Sequence, residues 1–217
     1  MNSVGDAFAF AFRDPQWLSK MVVQALILII PIVGWIAMTG WMMMAFENVR
    51  SGRNELPPAG FHLSRGIGIF GVFFIYGFVL NIPASFLYAA GGIASGENTA
   101  RVAAGSALTA LAILWNFLAG LFLNFLVPSL IVNTYHAGFA GGMDLPRVWR
   151  LATLNLNNSL LAGLIVFVAA LIGPLGFIVC CVGILFTTVY QNTIQAGIAA
   201  WFERVQAAPA APPAPAT

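Results

Sequence analysis

The sequence predicts an all-α fold, a polytopic bundle of four to six membrane helices with proline kinks and an amphipathic N-terminal helix at the interface. Three observations predict it. Of the 217 residues, 60% are hydrophobic and 7% are charged, against about 25% charged in an average soluble domain. Four stretches, 21–46, 66–95, 102–143 and 160–202, contain no Asp, Glu, Lys or Arg, and each exceeds the ~20 helical residues that a bilayer core requires. Each also has a proline near its middle: Pro31, Pro83, Pro128 and Pro174. So little charge cannot coat a surface for water, so lipid must be the solvent over most of it. The net charge of +2 is too small to point to nucleic acid. The basic residues sit at segment ends, where head groups are met.

Residues 3–13 read as the interfacial helix. Ser3 and Asp6 have the spacing of a capping box. Phe8 and Phe12, one turn apart, put two rings on one face, as a helix lying at the head groups requires. Asp14 and Pro15 then supply an N-cap and a first helical residue. Trp17 and Lys20 follow at the depth of aromatic and snorkelling anchors. The membrane segments are 17–46, 66–94, 105–134 and 159–202. The third should emerge over 136–142. The fourth is long enough for two spans, with its natural break at Gly173-Pro174-Leu175-Gly176.

A proline inside a helix removes one backbone hydrogen bond, and in lipid the freed carbonyl needs another partner. Each proline is therefore a kink or the turn of a re-entrant hairpin shielded by protein. Asp144-Leu145-Pro146 opens a further helix, with Trp149 and Arg150 as interface anchors. Its likeness to Asp14-Pro15-Gln16-Trp17 hints at a repeated half. Residues 47–65 form the main polar loop, irregular and stiffened by Pro57-Pro58. Residues 1–206 thus form a single integral membrane domain. Residues 207–217 are Ala and Pro with one terminal Thr, a composition expected to be disordered. No cleavable signal peptide or lipidation motif is expected, because Asp6, Arg13, Asp14 and Lys20 precede the first long apolar run.

Orientation does not follow from four single spans. They would place Arg13, Lys20, Arg101 and Arg204 on one side, and Arg50, Arg53, Arg65, Arg147 and Arg150 on the other. The positive-inside rule cannot choose between four and five. A hairpin in the first stretch would gather Arg13, Lys20, Arg50, Arg53 and Arg65 on one side, yet arms of ~13 residues are too short to cross.

No catalytic, cofactor-binding or metal-ligating set is visible. The acids lie in loops or at segment ends without catalytic spacing, and phosphate loops, hydrolase elbows and HExxH are absent. Cys180 and Cys181 are adjacent in an apolar run and read as small helix residues, neither a disulfide nor a zinc site. His136 reads as a polar residue at a helix end, and His62 lies in the loop without a second ligand. Inside the apolar stretches the polar groups are amides. Asn116, Gly120 and Asn124 recur every four residues and share one helix face, either as glue between helices or as a polar pore lining. Gln24, Asn81, Gln191, Asn192 and Gln195 are the others. Small-xxx-small pairs at Ser159/Gly163 and Ala169/Gly173 permit close helix contact.

A resemblance is carried by Asp14-Pro15-Gln16-Trp17-Leu18-Ser19-Lys20, Pro31-Ile32-Val33-Gly34, the helix over 40–46, Val49-Arg50-Ser51-Gly52, Leu56-Pro57 and, later, Val189-Tyr190. In that order they resemble a family of prokaryotic integral membrane proteins of unknown function, with a D-P-x-W-x-x-K entry and a basic-Gly-polar-Leu-Pro loop. Pro58-Ala59-Gly60 departs from the acidic-aromatic continuation of that pattern. The resemblance implies a multi-pass protein of the cytoplasmic (inner) membrane and implies no activity.

The expected role is a non-catalytic accessory, assembly or envelope-organising component that works through helix packing. Its partners would be the lipid bilayer and another membrane protein or further copies of itself, without a cofactor. A pore or facilitator for a small neutral solute is the alternative, and a membrane enzyme acting on lipid a second one.

Overall fold

The computed structural model describes residues 3–96, 98–179 and 183–207, and within them the fold is all-helical, with no strand. Helix α1 (Asp6–Ala9) runs into a 3-10 turn (Phe10–Arg13) and is followed by α2 (Trp17–Ile27) and α3 (Val33–Arg50). Then come α4 (Leu63–Ala94), α5 (Thr99–Met143), α6 (Leu145–Thr153), α7 (Leu156–Val179) and α8 (Gly183–Ala207). By length and composition, α4, α5 and α7 can each cross a membrane. The expected segments 66–94 and 105–134 lie inside α4 and α5.

The first membrane segment is not one helix. It breaks after Ile27 into α2 and α3, of 11 and 18 residues, or about 16 and 27 Å. Pro31 sits in the turn, and Ile32 follows with φ +62°, which a β-branched residue rarely adopts. A Cβ on Gly34 would lie 2.5 Å from Ile27 O, so only glycine lets α3 start this close to the end of α2. The other prolines behave differently. Pro83, Pro128 and Pro174 all lie within continuous helices. The break expected at Gly173-Pro174-Leu175-Gly176 is therefore absent, and α7 continues to Val179. A proline costs a helix one hydrogen bond, whereas a full break in apolar surroundings would free several backbone groups. The pair Cys180 and Cys181 and the tail 208–217 lie outside the described residues. The emergence expected over 136–142 appears as a kink at Ala137 and Gly138, the latter with φ +64°.

Side chains from α2, from α3 and from Asp14 just before α2 hold the irregular loop after α3. Asp14 is 2% exposed. Its Oδ1 accepts from Gln16 N at 2.7 Å, and its Oδ2 accepts from Lys20 Nζ at 2.7 Å and from Leu56 N at 2.8 Å. Lys20 Nζ also donates to Leu56 O at 2.8 Å, so the ion pair takes both backbone polar groups of one loop residue. Asn48 Nδ2 donates to Glu55 O, Trp41 Nε1 donates to Pro57 O, and Gly60 N donates to Gln24 Oε1. Buried backbone groups must be paired, and here side chains pair them where a helix would otherwise have done so. Burial alone would raise the Asp14 carboxyl, but the Lys20 ammonium and the Gln16 and Leu56 N–H groups outweigh it and hold the pKa below its usual value.

α3 then packs on α4 at backbone distance. A Cβ on Gly40 would lie 2.2 Å from His62 O, and one on Gly66 1.8 Å from Ile36 O. Around this crossing Trp41, Met42, Phe46 and Met38 are fully buried, together with Phe202 of α8. The N-terminal segment packs on α8. Ala7, Phe10 and Ala11 are buried, whereas Phe12 is exposed, and Tyr190 Oη on α8 donates to Phe8 O at 2.9 Å. The expected capping box is half formed, with Ser3 N donating to Asp6 Oδ2 at 2.9 Å.

α4 and α5 make the opposite kind of hairpin. α4 has 32 residues, about 48 Å. From 73 to 125, the buried residues among those described are Ala84, Gly91, Gly105 and Ala112. Phe74, Phe78, Phe86, Ile93, Ile113 and Phe117 are all exposed. Near Pro83, Trp115 Nε1 donates across the hairpin to Leu80 O at 2.8 Å.

Candidate functional site

Several polar groups of the helices converge in a groove bounded by α3, α4, α5, α7 and α8, with a cavity of ≈ 470 Å³. Its polar lining is Asn124 from α5, Gln191, Asn192, Gln195 and Thr188 from α8, and Thr39 from α3. The rest is apolar, from Trp35, Phe70, Phe73 and Phe74 to Pro174, and no charged side chain lines it. Trp35 and Phe74, on its rim, are exposed on the apolar flank of the bundle.

Local structure explains which of these groups are free. Asn124 Nδ2 donates to Gly120 O, and Asn192 Nδ2 to Thr188 O, each at 2.8 Å and one turn back on its own helix. The Thr39 hydroxyl lies 3.0 Å from Ile36 O and 3.2 Å from Gly66 O. Gln191 and Gln195 have no side-chain hydrogen-bond partner among the described residues. A Cβ on Gly173 would lie 2.6 Å from Gln191 Oε1, so this glycine makes the space that the Gln191 amide occupies.

The expected polar face Asn116, Gly120 and Asn124 does not act as a unit. Asn124 lines the groove, but Asn116 points to α4, 3.5 Å from Tyr88 Oη, and is half-buried. Gly120 has open space around it. The two asparagines are eight residues apart on α5, about 12 Å, and α4 and α8 take different turns of that helix. What the sequence did not bring out is the pairing of Asn124 with Gln191 and Gln195. Their i,i+4 spacing on one face of α8 was the available signal.

The anchors are also placed. Trp17 packs against Phe12 and Phe186, with centroids 4.9 and 6.3 Å away. Lys20 is engaged by Asp14 and by Leu56 O. Trp149 packs on Phe122 and Phe125 at 6.2 and 6.4 Å, and Arg150 is exposed beside it. The small-residue pair Ser159/Gly163 does mediate a crossing, since a Cβ on Gly163 would lie 2.8 Å from Phe125 Cα.

At one end of the bundle the charges gather. Arg50 Nε donates to Glu203 Oε2 at 2.9 Å, and His136 Nε2 lies 2.6 Å from Glu203 Oε1. Arg65 pairs with Glu47 one turn before Arg50, and Arg13 pairs with Asp6 beside Val49 and Arg53. Arg147 and Arg150 share a cavity with His136 and Glu203, and Arg204 follows Glu203. Lys20 is tied to the loop at Leu56. Of the nine basic residues, only Arg101 lies at the far end, on the first turn of α5. Among the described residues no three His, Cys, Asp or Glu side chains cluster as a metal site requires.

No curated protein and no solved structure matches the chain. One family model does match, over residues 23–184. That stretch contains the α2–α3 turn, the Leu56-Pro57 loop and all of α4 to α7, but begins after Lys20 and ends before Gln191. Covering well over half of the sequence, the match shows that the chain belongs to the family described as protein of unknown function (DUF4013).

Proposed function

We propose that the protein is a non-catalytic, multi-pass component of the cytoplasmic (inner) membrane that holds a neutral, hydrogen-bonding molecule in the amide-lined groove. The observation that carries this reading is the pair Gln191 and Gln195, two amides without partners in a groove that contains no charge. In lipid an amide must find a hydrogen-bond partner, usually on a neighbouring helix. Here the neighbouring helices leave a cavity instead, so a neutral donor or acceptor from outside completes the site. The exposed rim at Trp35 and Phe74 favours entry from the lipid side. It favours a holding role, in assembly or accessory work, over passage from one face to the other.

The membrane placement rests on α4, α5 and α7, with α8 running back beside α7. With α2 and α3 as a re-entrant hairpin, eight basic residues share one face and Arg101 lies at the other. The positive-inside rule then assigns the basic face to the cytoplasm.

The test is purification in mild detergent from native membranes, with mass spectrometry of what is retained. Wild type is expected to retain a neutral molecule that a Gln191→Leu/Gln195→Leu variant of unchanged thermal stability loses. Equal retention by both would overturn the groove as the binding site. If instead purified wild type speeds glycerol entry into liposomes and the variant does not, the facilitator replaces the holding role.

A further inference from the structure

The charge on α6 is not used by the protein itself. α6 buries Val148 and Ala152 and exposes Arg147 and Arg150 together with Leu145 and Trp149. Such a two-sided helix fits the plane of the head groups. Neither guanidinium has an ion-pair partner among the described residues. Both line a cavity of ≈ 360 Å³ between α5, α6 and the end of α8. The carboxylate in its lining is already satisfied, because Glu203 Oε2 accepts from Arg50 and Glu203 Oε1 faces His136. Deeper in, Gln206 Nε2 donates to Ser159 Oγ at 3.1 Å, while Gln206 Oε1 is buried without a donor. The cavity therefore combines two free cations with one unpaired acceptor, beside the apolar Val132, Leu151 and Leu154.

We propose that this cavity binds the head group of an anionic glycerophospholipid. Its phosphate lies between Arg147 and Arg150, a head-group hydroxyl donates to Gln206 Oε1, and its acyl chains run along Val132, Leu151 and Leu154. Arginine is suited to this because its planar fork pairs with phosphate oxygens through charge-assisted hydrogen bonds. The proposal rests on the membrane placement above, and the basic face it occupies is the one assigned to the cytoplasm, where anionic lipids attract basic segments.

The experiment is native mass spectrometry of the full chain released from nanodiscs of equal phosphatidylglycerol and phosphatidylcholine. Wild type is expected to retain phosphatidylglycerol preferentially, R147Q/R150Q to lose that preference by about tenfold or more, and R147K/R150K to keep part of it. An R101Q variant is expected to match wild type. Equal enrichment in R147Q/R150Q and wild type, or no preference in wild type, would overturn the proposal. So would stabilisation by inorganic phosphate equal to that by the lipid, which would mark a site for soluble phosphate. Should R147Q/R150Q fail to fold, loss of the wild-type preference in high salt decides instead: a preference unchanged by salt counts against the guanidinium–phosphate pair. Extraction of the chain by alkaline carbonate wash would defeat the membrane placement itself, separately from the lipid site.

Discussion

The α2–α3 hairpin and the α4–α5 hairpin solve the same problem in opposite ways. Both turn apolar chain back on itself. The first has short arms and an irregular turn, and the irregular loop that follows it takes its partners from the side chains of Asp14, Lys20, Gln24, Trp41 and Asn48. The second has long arms satisfied by helix hydrogen bonds, buries only small residues where the arms meet, and leaves Phe86 and Ile93 72% and 78% exposed. Irregular backbone at membrane depth survives only where protein shields it, whereas a continuous helix can face lipid directly. The loop after the first hairpin is therefore held by protein side chains, whereas the turn at 29–33 and the arms of the second hairpin expose apolar side chains.

Breaking the first hairpin should have the largest effect. Asp14→Ala leaves the Lys20 ammonium half-buried and Leu56 N unpaired, and about 3 kcal/mol of stability is expected to be lost. Thermal unfolding in detergent reads this as a lower Tm, and protease should then cut first within the loop after α3. Acid should act in the same direction but less strongly. The folded Asp14 pKa lies below its ordinary 3.8, so its contribution is complete above 3.8 and is lost as pH falls through the lower folded value. An Asp14→Asn variant should flatten that part of the Tm-against-pH curve. The smallest effect belongs to the second hairpin. Phe86→Leu or Ile93→Val on this exposed apolar face should change stability by less than about 0.5 kcal/mol. A cost of several times that would mean that protein, not lipid, covers those residues.

The fold class was legible because it depends on composition and on runs of charge-free sequence, which are local. The prolines show where local information ends. Pro31 and Pro174 carry the same signal, yet one marks a turn and the other lies within a helix. The difference shows in the backbone around Pro31, where Ile32 takes φ +62° and Gly34 lets α3 start against Ile27 and Leu28, and the proline by itself does not encode it. Asp14 and Lys20 were legible as a cap and an anchor, but α2 starts at Trp17 with Gln16 at its N-cap and no side-chain cap, and the Asp14 carboxylate takes the Gln16 N–H just before the helix. Their larger role, holding Leu56, spans 36 to 42 residues of sequence. The groove was legible in part. The amides stood out as polar residues in apolar helices, but helical spacing joined Asn124 to Asn116 when the fold joins it to Gln191 and Gln195.

The proposed re-entrant placement also changes the arithmetic of charge. Short arms are no obstacle if the hairpin does not cross, and a four-against-five split of basic residues would become eight against one. Single-cysteine labelling tests this most directly. In a background with Cys180→Ser and Cys181→Ser, the variants Ile30→Cys, Ser51→Cys and Thr99→Cys would be treated with a membrane-impermeant maleimide, in intact spheroplasts and again after lysis. The re-entrant account predicts that Thr99→Cys is labelled from outside, and that Ser51→Cys is labelled only after lysis. It predicts that Ile30→Cys is never labelled from outside. Labelling of Ile30→Cys from outside, with Ser51→Cys still protected, would make the first hairpin a true crossing and contradict the account.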